Sequence, residues 1–420
     1  MAIFRRSRMK AAGSIILFVA FMVLGQKAFA DQFHYNNLLI GDRASGMGGA
    51  YTAVSDDATG LYYNPAGIVY SSGRNLSASV NAYYYLTKKY DGVIGGHGWE
   101  RKSSALLPNF FGIVQPLGKI KFGFSYAVPD SINEDQDQTF NNLSSTITSY
   151  VINFNNEDNT YNFGPSVAME ITKSLSAGLT LYVHQRKAQL ILNQLVNTTT
   201  GYEWSNKYFE INESGVRPVL GFMWSPVDKL SLGLSLSKTV VLQSTATDQV
   251  TESSTISTPS GLPLINTNLW RKDASSTDKR VYPLQVSAGA AYFATNNLLL
   301  TTDVVYFTRV ADAVFGDRVA VVNVALGTEY FIDRNWAVRG GFFTNYASTP
   351  DITAGVPAVA EEHIDLYGGT MSISHFTRNT SVTLGGSITT GTGLSQISGT
   401  STQDASAFGW TLALSSTYSY

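Results

Sequence analysis

The sequence predicts an all-β chain, a transmembrane antiparallel barrel of about fourteen strands with an N-terminal plug in its lumen. Three observations carry this. Only 14% of the 420 residues are charged, while 12% are aromatic and glycine numbers 37; an average soluble protein is about 25% charged. Alternation has period two: in Leu230-Ser231-Leu232-Gly233-Leu234-Ser235-Leu236-Ser237 every second residue is Leu and the rest are Ser or Gly, so one face suits lipid and the other a lumen. Finally, short turn signals alternate with long polar stretches, the asymmetry of an outer-membrane barrel.

In chain order, the first element is a leader. Arg5, Arg6, Arg8 and Lys10 precede the apolar run Ala11 to Leu24, and Ala28-Phe29-Ala30 offers a cleavage site, so residues 1–30 read as a signal peptide. Removing it with its five basic residues, Lys27 included, takes the formal charge from −2 to −7, which does not attract nucleic acid. Residues 31–73 follow without alternation. Their small residues, Gly41 to Ala58, and the turn at Asn64-Pro65 suit a compact segment filling a lumen too wide for side chains alone.

The barrel is expected over residues 74–420. Short turns fall at Pro116 to Lys119, Thr172 to Ser174, Pro226 to Lys229, Thr295 to Asn297, Asp333 to Asn335 and Thr377 to Asn379. Long loops are expected near residues 91–104, 130–158, 196–212, 244–280, 311–318, 346–361 and 391–406. The intervening strands run near Arg74 to Tyr90, Leu107 to Gln115, Ile120 to Val128, Asn159 to Ile171, Leu175 to Leu195, Glu213 to Ser225 and Leu230 to Gln243. They continue at Val281 to Phe293, Leu298 to Val310, Val319 to Ile332, Trp336 to Asn345, Glu362 to His375, Thr380 to Thr390 and Ala407 to Tyr420. Fourteen strands put both barrel ends on the periplasmic side. Tyr330, Phe331, Trp336, Trp224 and Phe293 beside the short turns form an interfacial girdle. Within the second long loop, Leu143, Ile147, Tyr150, Val151 and Phe154 fall at helical spacing.

The stretch Gly46-Met47-Gly48-Gly49-Ala50-Tyr51, followed by Asp56-Asp57-Ala58 and Asn64-Pro65-Ala66, resembles the N-terminal hatch of the FadL/TodX family of outer-membrane transporters. Leu107-Pro108-Asn109-Phe110-Phe111, Ala325 to Tyr330 and the aromatic C-terminal strand extend the resemblance over the whole mature chain. It implies passive transport of a long-chain fatty acid, an alkane or an aromatic hydrocarbon. Gly46, Gly48, Gly49, Asn64, Pro65 and Ala66 would be the hatch motif, and Phe33, Leu61, Ile68 and Val69 would line a pocket between hatch and wall. An inward kink of the third strand would open the wall sideways; Pro129, after Ala127 and Val128, cannot donate a ladder hydrogen bond and suits such a break. Leu262, Leu264, Ile265, Leu269 and Trp270 would capture the ligand outside. The family's basic contact to a carboxylate falls on Lys187 by local alignment and on Arg186 by alternation from Ser176. Outer-membrane lipids and the barrel-assembly machinery are the implied partners, with the barrel a monomer.

Affinity in such a pocket comes from apolar burial, about 0.8 kcal/mol per CH₂, while an exposed ion pair adds about 0 to 1 kcal/mol. Catalytic signals are poor. Zero Cys removes thiolate metal sites and cysteine nucleophiles, and the five His are scattered at 34, 97, 184, 363 and 375. No enzyme activity, metal or cofactor is expected. The alternative is a sealed structural or assembly barrel serving a protein partner.

Overall fold

The computed structural model describes residues 33–71, 73–255, 270–397 and 400–419. The leader and the apolar island Leu262, Leu264, Ile265 and Leu269 lie outside them. Fifteen strands form one antiparallel sheet. They are β1 (Asn75–Ile94), β2 (His97–Leu117), β3 (Ile120–Asn141), β4 (Ile147–Thr172), β5 (Leu175–Thr198), β6 (Gly201–Val227), β7 (Leu230–Ser254), β8 (Trp270–Ser276), β9 (Val281–Phe293), β10 (Leu298–Phe307), β11 (Val321–Phe331), β12 (Trp336–Asn345), β13 (Glu362–Phe376), β14 (Thr380–Ser395) and β15 (Gln403–Ser419). Strand β1 pairs with β15, Asn75 opposite Ser419, which closes the wall.

The closed wall has fourteen strands. β7 pairs along its first half with β9, Leu230 opposite Tyr292, and along its second half with β8, Ala246 opposite Ser276. β8 therefore extends one hairpin above the wall instead of adding a stave. All six predicted short turns join strands at one end of the barrel. Exposed Leu, Val, Ile, Phe and Tyr cover the outer face, as at Leu300, Val304, Leu326, Leu384 and Leu412. From Leu298 to Tyr306 a strand advances about 27 Å at 3.4 Å per residue, the scale of the roughly 25 Å apolar band of such barrels. Exposed Trp224, Phe293, Tyr330, Trp336 and Tyr418 rim its short-turn edge.

Five strands of the first half, β2, β3, β4, β6 and β7, are far longer than expected, and the cause is a reversal in the pattern of that half. Along β5, Leu179, Leu181 and Val183 face outward while Ser176, Thr180, Tyr182 and Arg186 are buried inside. Beyond Arg186 the outward residues are Lys187 and Gln189, and the buried ones are Ala188, Leu190 and Leu192. β4 repeats this in reverse: Tyr150, Ile152 and Phe154 inside give way to Asn156, Asp158, Thr160 and Asn162. A strand leaving lipid exchanges an apolar outside for a wet one, and it can then close over an apolar inside.

Three expectations are corrected by this. The stretches 91–104, 130–158 and 196–212 are strand hairpins with short tips, Gly95-Gly96, Asn142 to Thr146 and Thr199-Thr200, and not long loops. Much of 244–280 is β7 and β8. The helical spacing of Leu143, Ile147, Tyr150, Val151 and Phe154 is accidental: all but Leu143 lie in β4, where cross-strand partners decide the conformation. Together with Tyr90, Trp99, Phe140, Leu190, Phe209 and Ile211, these hairpins enclose an apolar core above the membrane band.

One carboxyl in that upper region is held away from water. Glu203, beside the β5–β6 tip, is 8% exposed; burial, with the nearby Glu252 carboxylate adding to it, pushes it up to about 7. A raised carboxyl pKa favours folding fully below the unfolded value of about 4.3 and loses that contribution as pH rises through about 7. Amide exchange across the tips of β6 and β7, corrected for intrinsic rate, is therefore expected to quicken between pH 5 and 8, and Glu203→Gln to flatten the dependence. Equal protection at both pH values in the wild type would refute it.

Candidate functional site: the lumen between the N-terminal segment and the wall

Residues 33–71 pack against the inner face of the wall. They form α1 (Arg43–Gly46), α2 (Gly60–Tyr63) and a 3-10 turn, Pro65–Tyr70. Asp42 starts α1 by accepting the Arg43 N–H at 2.6 Å, and Gly48 and Gly49, at φ +66 and +81, reverse the chain after it. Asn64 joins three partners: its Oδ1 accepts from the Ala66 N–H (3.2 Å), and its Nδ2 donates to the carbonyls of Thr52 (2.7 Å) and Phe222 on β6 (3.0 Å). Pro65 begins the 3-10 turn, where its fixed φ suits and no donor is needed.

The wall is shaped to receive this segment. A Cβ on Gly233 would stand 2.1 Å from the Thr52 carbonyl oxygen, and one on Gly341 2.3 Å from the Gly48 nitrogen. Side chains of the wall supply the remaining partners. Asp303 Oδ2 accepts the N–H groups of Tyr51 (2.9 Å) and Thr52 (2.8 Å), Ser176 Oγ donates to the Ala66 carbonyl (3.0 Å), and Thr180 Oγ1 donates to that of Leu61 (2.8 Å). Glu329, fully buried, holds Arg43 of the segment and Arg339 of β12 together, with Arg339 Nε at 2.7 Å.

Above the segment lies a cavity of about 190 Å³. The chain from His34 to Leu39 forms one side; β4 to β7 and β9 to β11 form the other. Tyr35, Tyr62, Tyr63 and Phe307 give it aromatic surface, with Tyr35 stacked on Phe307 at 4.2 Å. Asn162, His184, Arg217, Gln285 and Asn323 give it polar groups. It is roofed by buried ion pairs, Arg186 with Asp158 and Glu213, and Arg280 with Glu213.

The cavity abuts a gap in the wall. β2 and β3 pair from Leu117 opposite Ile120 to Phe110 opposite Ala127, and meet again only at Ser103 opposite Glu134. β3 also slips against β4 between Ala127 and Asp130. There it bonds inward: the Pro129 carbonyl accepts from the Leu38 N–H at 3.2 Å, and Asp130 Oδ1 accepts from Asn37 Nδ2 at 3.0 Å. Pro129 and Asp130 both line the cavity. With no N–H to give to a neighbouring strand, Pro129 sits where the ladder changes partner, and Ala127 and Val128 before it are buried.

The other sequence-predicted residues divide. Leu61 and Ile68 are fully buried with Ile40, Phe110, Val114, Ala127 and Ala168, packing the segment to the wall, and Val69 lies at the edge of that cluster; none of the three lines the cavity. Phe33 is buried towards the long-loop end, its carbonyl accepting from the Ser348 N–H at 2.7 Å and its ring under Arg318. Pro65 and Ala66 rest on β5 and β6, and Gly46 is buried beside Ser372. Trp270 begins β8. The two cations expected to meet a carboxylate ligand lie on opposite faces of β5. Arg186 is already bound to Asp158 and Glu213, a desolvated pair that no exposed ligand displaces cheaply, and Lys187 is exposed on the outer face because it follows Arg186 by one residue.

Sequence reasoning passed over Arg217, Asp303, Glu329 and Arg339. A signal was there: a charge inside a membrane-depth strand must face the lumen, and alternation beside lipid-facing Leu220, Val304, Tyr330 and Phe342 assigns all four inward.

A closed fourteen-stranded barrel with a lipid-facing band, its lumen filled by its own N-terminal segment, is an integral outer-membrane channel. The comparisons with known proteins agree. Residues 21–261 match the family described as outer membrane protein transport protein (OMPP1/FadL/TodX), and the chain belongs to that family, whose members are transport channels for hydrophobic compounds and not enzymes. Among solved structures it is similar to a Pseudomonas aeruginosa FadL homologue (14% identity, TM-score 0.66, covering 92% of this chain and 99% of that one). It is also similar to the P. putida toluene transporter TodX (14%, TM-score 0.62, 91% and 98%) and the Ralstonia pickettii toluene transporter TbuX (16%, TM-score 0.60, 91% and 99%). At these identities the structures speak for the fold. No curated protein matches the sequence.

Proposed function

We propose that this channel admits a hydrophobic compound from the long-loop side, holds it in the cavity between the N-terminal segment and the wall, and releases it sideways through the gap between β2 and β3. The segment 31–73 is the hatch, and the short-turn end, where β1 begins and β15 ends, faces the periplasm. The single observation that carries this is the position of Pro129 and Asp130, which border the wall gap and the cavity at once. Sideways release keeps an apolar molecule out of water, and each CH₂ kept buried is worth about 0.8 kcal/mol. The buried core formed by the tall hairpins of β1 to β7 directs ligand to the cavity only after those hairpins part, so admission is gated from above and release from the side.

The test combines binding and uptake. Native mass spectrometry of the detergent-purified barrel after lipid extraction, in competition with palmitate, dodecane and toluene, is expected to reveal one exchangeable hydrophobe. Cells carrying the chain should accumulate that compound faster than cells without it. Absence of both binding and uptake, with a protein partner copurifying, would replace this reading with a structural barrel.

A further inference from the structure

His184, Asp303 and Asn323 line the cavity, and each carries a buried polar atom with no hydrogen-bond partner among the described residues: Nε2, Oδ1 and Nδ2. All three side chains are almost wholly enclosed, at 2% exposure. Beside them stands Arg217. Its guanidinium lies over the Tyr62 ring at 4.9 Å and reaches only the neutral oxygens of Ser237 (3.4 Å) and Gln285 (3.2 Å). Among the described residues no carboxylate lies within ion-pair distance of it. This separates Arg217 from Arg43, Arg101, Arg186, Arg280 and Arg339, all of which are paired with acids.

A pure hydrocarbon fits this chemistry poorly. Each buried polar atom that it covers without bonding loses water and gains no partner in exchange, and a guanidinium loses more. The volume argues against a long chain as well: a cavity of about 150 Å³ holds one benzene, and this one is about 190 Å³, room for a ring with its substituents. We propose that the cavity binds a single-ring aromatic acid, its carboxylate on Arg217, its ring among Tyr35, Tyr62, Tyr63 and Phe307, and a ring hydroxyl donating to His184 Nε2.

The register supports the span. His184 lies opposite Gly215, so Arg217 is its diagonal neighbour, about 7 to 8 Å away, close to the length of a ring carrying opposed substituents. Asn162 Oδ1 can only accept, so His184 Nδ1, 3.1 Å away, carries the proton; in the neutral imidazole Nε2 is then an acceptor. The two acids at the cavity compete less for a cation than their charge suggests. Asp303 Oδ2 already takes two backbone N–H groups, and Asp130 takes the Asn37 amide.

This inference rests on the transport reading above and is tested apart from it. Isothermal titration of the full barrel in detergent with 4-hydroxybenzoate, benzoate, toluene and palmitate should give the order 4-hydroxybenzoate, benzoate, then toluene. Arg217→Gln should weaken both acids at least about tenfold, the scale of one hydrogen bond to a charge, and leave toluene unchanged. Arg217→Lys should recover part of the loss, and His184→Phe should erase the preference for the hydroxylated ring. Heat-modifiable migration confirms that each variant is folded. Toluene binding as tightly as the acids, or acids indifferent to Arg217→Gln, would overturn the assignment and leave the polar groups to water. Uptake of toluene or palmitate by cells without any binding of aromatic acids would overturn it while the transport reading stands; no uptake of any of the four would remove that reading itself.

Discussion

Glu329→Gln is expected to destabilise the barrel by about 3 to 5 kcal/mol, the cost of breaking a buried ion pair from one side. Glu329 has no exposure and receives both Arg43 and Arg339. Neutralising it leaves Arg43 with the half-exposed Asp56 and the buried Arg339 with only the Ser374 hydroxyl. The effect also reaches function, because Arg43 belongs to the N-terminal segment and Arg339 to the wall. Guanidinium unfolding in detergent should show a lower midpoint, and cells carrying the variant should leak small hydrophilic antibiotics as the segment loosens. The double variant Glu329→Leu with Arg339→Met removes charge from both sides and should regain much of the stability, since apolar replacements of a buried pair are often neutral. An unchanged midpoint in the single variant would mean that the cluster does not hold the segment.

The second large effect is expected at the wall gap. Pro129→Val restores an N–H and a β-branched side chain at the position where β3 leaves β2 and bonds to Leu38. A new ladder hydrogen bond worth about 1 kcal/mol shifts the open and closed arrangements of the gap severalfold, with each further bond that zips behind it adding to the effect. Uptake of the transported hydrophobe should fall by about that factor or more, while assembly, read as heat-modifiable migration, and ligand affinity at equilibrium stay unchanged. Slower uptake with intact binding separates a gate from a binding residue. Uptake at the wild-type rate would remove Pro129 from the release path.

The two cations expected to meet a ligand show where reading along the chain stops. Alternation from Ser176 correctly turned Arg186 inward, yet what an inward arginine does depends on strands far away in sequence. Asp158 on β4 and Glu213 on β6 flank Arg186 and neutralise it. Arg217, two positions along from the residue facing His184, meets no acid among the described residues and reaches only Ser237 and Gln285. Nothing local to either residue separates these fates. The N-terminal segment was legible as a group of small residues with an Asn-Pro turn, whereas the matching wall glycines, such as Gly233 and Gly341, look in the sequence like ordinary interruptions of strands.

The strand ends illustrate the same limit. One expected strand began only at Asn159, where outward apolar residues give way to polar ones, whereas β4 begins at Ile147. The pattern there inverts and does not end: Asn153 and Glu157 take the outer face and Ile152 and Phe154 the inner one.

The sequence by itself determined the fourteen-stranded wall, the six short turns and the side of each strand that meets lipid, because backbone pairing and period-two alternation are written locally and the bilayer imposes one rule on every strand. The tertiary structure alone decided which lumen charges cancel, which reach only neutral partners, and where the wall parts. Those outcomes depend on partners brought together by register across strands and by a segment from the other end of the chain, and electrostatics and packing inside a lumen act over distance in space and not along the sequence.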